Sequence, residues 1–136
     1  MLKNTFHKQE RLSGKKAIDL LFAKGKGSSI APLKLIIKTS LSTQIYPARI
    51  MFVVPKKKFK RAHDRNLLKR RMREAYRINK NSFYKSLNEK ELKVSCAFLY
   101  TGGKPDTYAV IEKALIELFS QSVNKLKSPS QTKIID

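Results

Sequence analysis

The sequence predicts a single α/β (α+β) domain, and three observations carry that reading. Residues 49–54 (RIMFVV) and 92–100 (LKVSCAFLY) are near-continuous apolar runs of strand length, as expected of strands covered on both faces. Between them lies a long stretch of helical periodicity. A helix between two strands of one sheet reads as a crossover, with the strands it joins parallel. The length, 136 residues, suits one domain with a real core.

Residues 1–12 are polar and basic without periodicity and read as a flexible arm. Ser13 can cap a short helix carrying Ala17, Ile18, Leu21 and Phe22 at helical spacing, with Gly25 and Gly27 to stop it. Ile18 and Phe22 are four apart and share a face, for which the ordinary reading is core. Residues 28–32 read as a loop. Residues 33–39 (LKLIIKT) alternate as a strand with Leu35 and Ile37 inward, and 40–47 form a turn region. Residues 49–54 then read as a central strand closed by Pro55. A basic connector over 56–64, with room for a short extended piece, leads to a helix over about 65–85. After the strand at 92–100, Gly102, Gly103 and Pro105 break the chain. Asp106 or Thr107 caps a last helix with Tyr108, Ile111, Leu115, Leu118 and Phe119 on one face. The domain spans 13–126, and 127–136 read as a disordered tail.

Charge is the dominant compositional signal. Thirty Lys+Arg stand against ten Asp+Glu, a formal net charge of +20, and eleven of those cations fall within residues 56–77. On a helix turning about 100° per residue, Asn66, Lys69, Arg70, Arg73, Arg77 and Lys80 share one arc. Leu68, Met72, Ala75, Tyr76 and Phe83 share the neighbouring arc. One face can therefore pack on a core while the next offers guanidinium and ammonium groups to a polyanion. Glu74 is spaced to brace Arg70 or Arg71. A solvated basic face without a ligand is the ordinary alternative. The one-sided sign and the arginine bias argue against it, since the planar fork suits phosphate and stacks on bases.

Other function classes lack their residues. His7 and His63 are not at metal-ligand spacing from each other or from Cys96. The ten carboxylates are scattered and form no DxD or ExxE cluster. No phosphate-cradling glycine loop occurs. No apolar run approaches the roughly 18 residues of a membrane span, and the first residues lack a signal core. A lone cysteine in an apolar run reads as a buried, inert thiol in a reducing cytoplasm. The chain is thus expected to bind RNA without cutting it alone.

Residues 65–73 (RNLLKRRMR) follow the pattern RN, two residues, KR, two residues, R. This resembles the motif of the bacterial ribonuclease P protein component. Val53-Val54-Pro55-Lys56-Lys57 resembles that family's strand ending in Val-x-Lys-Lys. Arg11-Leu12, Phe22-Ala23-Lys24-Gly25 and residues 108–119 resemble its amino-terminal segment and last helix. The resemblance implies a four-stranded mixed sheet with helices and a left-handed βαβ crossover. It implies a protein that binds a catalytic RNA, the ribonuclease P RNA, and the single-stranded 5′ leader of precursor tRNA. The reaction is metal-dependent hydrolysis that removes the leader, with Mg²⁺ held mainly by the RNA. By position it assigns RNA binding to Arg65, Asn66, Lys69, Arg70 and Arg73, and the concentration of charge adds Lys56, Lys57, Lys58, Lys60, Arg61 and Arg77. A leader-binding cleft falls to Ile18, Phe22, Lys69, Arg70 and Arg73. Ile18 stands where an aromatic is common, His63 replaces a small apolar residue, and the glycine usual after the Lys-Lys pair is absent. The alternatives are a general RNA-binding, ribosomal or RNA-chaperone protein, which needs no fixed cleft, and a DNA-binding module with its helix in a major groove.

Overall fold

The computed structural model describes residues 8–40 and 44–126. The outer arm 1–7, which includes His7, and the tail 127–136 lie outside the described residues. The described chain runs η1 (Lys8–Glu10), α1 (Lys15–Lys24), β1 (Lys26–Ile30), β2 (Leu33–Thr39), β3 (Ala48–Val53), α2 (Ala62–Glu89), β4 (Val94–Tyr100) and α3 (Tyr108–Lys125). Four strands form one mixed sheet in the order β1-β2-β4-β3. β1 and β4 pair antiparallel with β2, while β3 and β4 are parallel and joined by α2.

Alternation in the strands divides the core into two layers. Leu33, Leu35 and Ile37 of β2 and Cys96, Phe98 and Tyr100 of β4 face α2 and α3 in the main core. Ile36 and Ala97 face the opposite side, where Leu12 and Leu21 cover them. α2 supplies Leu68, Met72, Ala75, Tyr76 and Phe83 to the main core, all buried, as the helical spacing requires. α3 supplies Ile111, Leu115, Leu118 and Phe119, and the Thr107 side chain accepts a hydrogen bond from the Val110 N–H at its start. Gly25 ends α1 where the backbone passes very close to β2. A Cβ there would meet the Leu21 carbonyl oxygen at 2.5 Å and Ile36 Cγ2 at 2.6 Å. Only glycine lets α1 sit this close to the sheet.

Several sequence expectations change. The residue preceding α1 is Gly14, with no side-chain cap, so Ser13 does not cap it. Residues 26–30 are the edge strand β1 rather than a loop. β1 escapes a periodicity reading because KGSSI is polar apart from Ile30 and pairs with β2 through backbone groups. β3 is an edge strand, and the central strand buried on both faces is β4. α2 begins at Ala62, leaving only a turn over 56–58 before it. Residues 8–12 are not a loose arm. Arg11 forms a parallel bridge with Ile50, Leu12 N–H donates to the Ile50 carbonyl at 2.8 Å, and Leu12 is buried. The packed body therefore starts before residue 13. Among the described residues no helix is long and apolar enough to cross a membrane.

Candidate nucleic-acid interface

The candidate interface is built on the first half of α2, and the core decides which side of that helix is free. Leu68, Met72, Ala75 and Tyr76 are fully buried, which turns Asn66, Arg70 and Arg73 outward. Lys69 is half-buried between the two sides. Among the described residues no carboxylate pairs with Lys69, Arg70 or Arg73. Together with His63, Asn66 and Leu67 these three cations line a hollow of about 280 Å³. A second hollow of about 190 Å³ lies beside it. It is lined by Lys69 and Arg73 of α2, by Ile50, Met51 and Phe52 of β3, and by Arg11 and Leu12.

The other predicted cations divide by partner. Lys56, Lys57, Lys60 and Arg61 are exposed on the approach to α2. Phe59 in their midst is buried, edge-on to the Tyr100 ring at 5.6 Å, which pins the connector to the sheet. Lys58 Nζ donates to the Thr101 carbonyl at 2.6 Å, so that side chain ties the connector to the loop after β4. Arg65 donates to the carbonyls of Phe59 and Lys60, both at 2.8 Å, and acts as a strut closing the connector onto the helix. Arg71 donates to the Asp106 carbonyl, binding α2 to the start of α3. Arg77 pairs with Glu74, with Nε at 3.0 Å from Oε2. The Arg77 hydrogen bond holds the Glu74 carboxyl below its ordinary range. Glu74 thus braces Arg77 rather than Arg70 or Arg71, which leaves Arg70 unscreened.

Lys80 departs furthest from expectation. It lies on the same ideal arc as Arg73 but is only 4% exposed. Its Nζ sits 2.9 and 3.2 Å from the two carboxylate oxygens of Glu10, which is fully buried. The Tyr84 ring centroid lies 5.7 Å from the same ammonium. A signal for this was present: Tyr76 and Tyr84, aromatic residues four positions to either side of Lys80, are both buried in the main core. The free basic face ends near Arg73, and beyond it the same side of α2 is covered.

The cleft residues sit on the opposite face of the sheet. Ile18 packs with Leu12, Leu21, Ile36 and Met51. Phe22 is 43% exposed while its neighbour Leu21 is 1% exposed, so Leu21 anchors α1 and Phe22 offers its ring to solvent. Met51 links the two sets: it packs in the cluster of Ile18 and lines the same hollow as Lys69 and Arg73. A larger recess of about 440 Å³ opens between α1 and the sheet, edged by Leu20, Lys38 and Arg49. Sequence reasoning assigned none of those three, and Arg11 was likewise missed. Cys96 is fully buried, and burial pushes its thiol far above the ordinary range, so it takes no part in the surface chemistry. Among the described residues no three His, Cys, Asp or Glu side chains converge to hold a metal ion.

Comparison with known proteins bears on this arrangement. The structure superposes on the RNase P protein of Thermotoga maritima with a TM-score of 0.66 at 21% identity, covering 82% of this chain and 96% of that one. It superposes on the Staphylococcus aureus RNase P protein with a TM-score of 0.65 at 18% identity, covering 82% and 94%. These establish a shared fold. In sequence the chain is 33% identical over 132 residues to the ribonuclease P protein component of Chlorobaculum tepidum, covering 92% of this chain and 85% of the relative. It is 31% identical over 108 residues to that of Porphyromonas gingivalis, covering 79% of each. The Ribonuclease P family model matches residues 6–122, from the segment that carries Arg11 through the basic face of α2 and into the last turns of α3. With fold, basic helix and sequence match coinciding over that span, this chain belongs to the ribonuclease P protein family.

Proposed function

We propose that this chain holds two RNAs together: the catalytic ribonuclease P RNA and the 5′ leader of precursor tRNA. The observation that carries the reading is the cluster of Lys69, Arg70 and Arg73 around a hollow, with no carboxylate among the described residues paired to them. Cations left unneutralised on a rigid helix repel one another by a few tenths of a kcal/mol per pair. A phosphate backbone relieves that repulsion and supplies charge-assisted hydrogen bonds.

The chemistry is removal of the leader by phosphodiester hydrolysis, and in this reading the RNA carries it out. The donor set of the protein does not fit a metal cage, since no carboxylates converge among the described residues. It is the family resemblance that gives Mg²⁺ mainly to the RNA. The contribution of the protein is electrostatic and positional. Exposed Lys56, Lys57, Lys60 and Arg61 extend the positive surface from the helix along the connector. The exposed Phe22 ring offers a stacking platform to an unpaired base on the α1 side of the sheet. Holding the leader fixes the scissile phosphate relative to the catalytic RNA, which replaces a loose encounter by a positioned one. A buried free thiol and the absence of disulfides fit a reducing cytoplasm.

The test is cleavage of precursor tRNA by a bacterial catalytic RNA at low Mg²⁺, with and without this protein. The protein should raise the rate, and the gain should shrink when the leader is trimmed to a single nucleotide. An equal rate with and without protein would refute the assignment.

A further inference from the structure

Arg11, Glu10 and Lys80 point to a role that the motif on α2 does not contain. Residues 8–12 cross the outer edge of β3 as a strap, held at two points. Arg11 and Leu12 engage Ile50 through backbone pairing. One residue earlier, the buried carboxylate of Glu10 is locked onto buried Lys80 of α2. A buried ion pair is a poor way to gain stability, because an apolar pair of the same volume often does better. It does fix geometry, since Glu10 finds its partner only when the strap lies in one register. That register sets Arg11, itself exposed, at the smaller hollow with Lys69 and Arg73. Met51 of β3 adds an apolar side chain to the lining of that hollow.

We propose that Arg11 is a further RNA-contacting cation of the leader cleft, beside Lys69 and Arg73 at this hollow, and that the Glu10–Lys80 pair is the clamp that positions it. Guanidinium groups from two separate elements meet the phosphate, and the Met51 side chain offers an apolar contact to the base or sugar. Arg11 is a binding residue here; Glu10 and Lys80 act only through it. The proposal rests on the reading of Lys69, Arg70 and Arg73 as an RNA face, so Arg70→Ala serves as the reference variant.

The test measures binding of the full-length protein to a labelled uridylate decamer and to an RNA duplex of equal length, across a salt series. Arg11→Gln should weaken decamer binding about tenfold, the scale of one lost charge-assisted contact. It should also make the salt slope shallower by about 0.7, the loss of one neutralised phosphate on a single strand. Duplex binding should change far less. The paired variant E10Q/K80M removes both charges together. It should show the same loss with little change in melting temperature, and adding Arg11→Gln to it should cause no further loss. If E10Q/K80M does not fold, Glu10→Asp keeps the charge, draws the carboxylate back by one methylene and reads the same effect. Wild-type affinity and slope for Arg11→Gln, with Arg70→Ala impaired, overturn the Arg11 contact while leaving the RNA face intact. Additive losses from Arg11→Gln and the clamp variants overturn the clamp. An unimpaired Arg70→Ala overturns the RNA face itself.

Discussion

Replacing Phe22 by alanine separates a leader-binding role from a packing role, and the structure sets the magnitudes. Phe22 is 43% exposed, so only about half of its surface leaves water when the protein folds. Full burial of such a side chain stabilises by about 1.5–3 kcal/mol, which puts the folding cost of Phe22→Ala near 1 kcal/mol. No enclosed cavity adds to it, because the ring has an open side. Leu21, one residue earlier and 1% exposed, is the internal control. Leu21→Ala should cost about 2–5 kcal/mol. For a domain of this size the first variant should melt only a few degrees early and the second on the order of 10 °C early. In binding the order reverses. If a leader base stacks on Phe22, its loss should weaken precursor tRNA by about 1–3 kcal/mol, roughly 5- to 150-fold, and leave mature tRNA nearly unchanged. The assay pairs thermal melting with binding curves for precursor and mature tRNA in the presence of the catalytic RNA. If Phe22→Ala melts as early as Leu21→Ala and both tRNAs weaken together, Phe22 is core and the cleft assignment fails.

RNA affinity should fall steeply with ionic strength, by about 0.7–0.9 log units per log unit of salt for each phosphate neutralised, and Arg70→Ala and Arg73→Ala should each flatten the slope by about one such step; a slope near zero would exclude the basic face. Lys80→Met alone strands the Glu10 carboxylate in the interior and should cost about 3–5 kcal/mol by urea or thermal unfolding, with much of the loss recovered by adding Glu10→Leu; an unchanged melting temperature for the single variant would contradict the buried pair. Purified RNA-free protein should not cleave precursor tRNA at any Mg²⁺ concentration, and robust cleavage would overturn the division of labour. The raised thiol of Cys96 should react with a disulfide reagent only on global unfolding. Because the folded thiol stays protonated where an unfolded one ionises, its contribution to stability is intact below the ordinary thiol range near pH 8.5 and is eroded as pH rises above it.

What the sequence reveals depends on whether a residue's neighbours are close in the chain. β2 was legible to the residue, because alternation in LKLIIKT sets Leu33, Leu35 and Ile37 on one buried face. The core side of α2 was legible for the same reason. β1 was not, because its pairing with β2 uses backbone groups that every residue carries. The edge position of β3 was not legible either, since Met51, Phe52 and Val53 look as apolar as a central strand. β3 owes that composition to packing at both its faces and not to a second paired neighbour.

The basic arc shows the limit most clearly. An ideal helical projection places Lys80 beside Arg73, and in isolation both are cations on one stripe. The difference is made by Glu10, seventy residues away, whose carboxylate converts one of them from a ligand-facing charge into a structural one. Arg65, Arg71 and Arg77 divide in the same way, each tied by a carbonyl or a carboxylate of the fold. The cations that remain without such ties, Lys69, Arg70 and Arg73, are those at which the motif spacing and the solvent-facing surface coincide. Charge counting therefore locates the helix that binds, while the hydrogen bonds of the folded chain decide which of its charges are left for RNA.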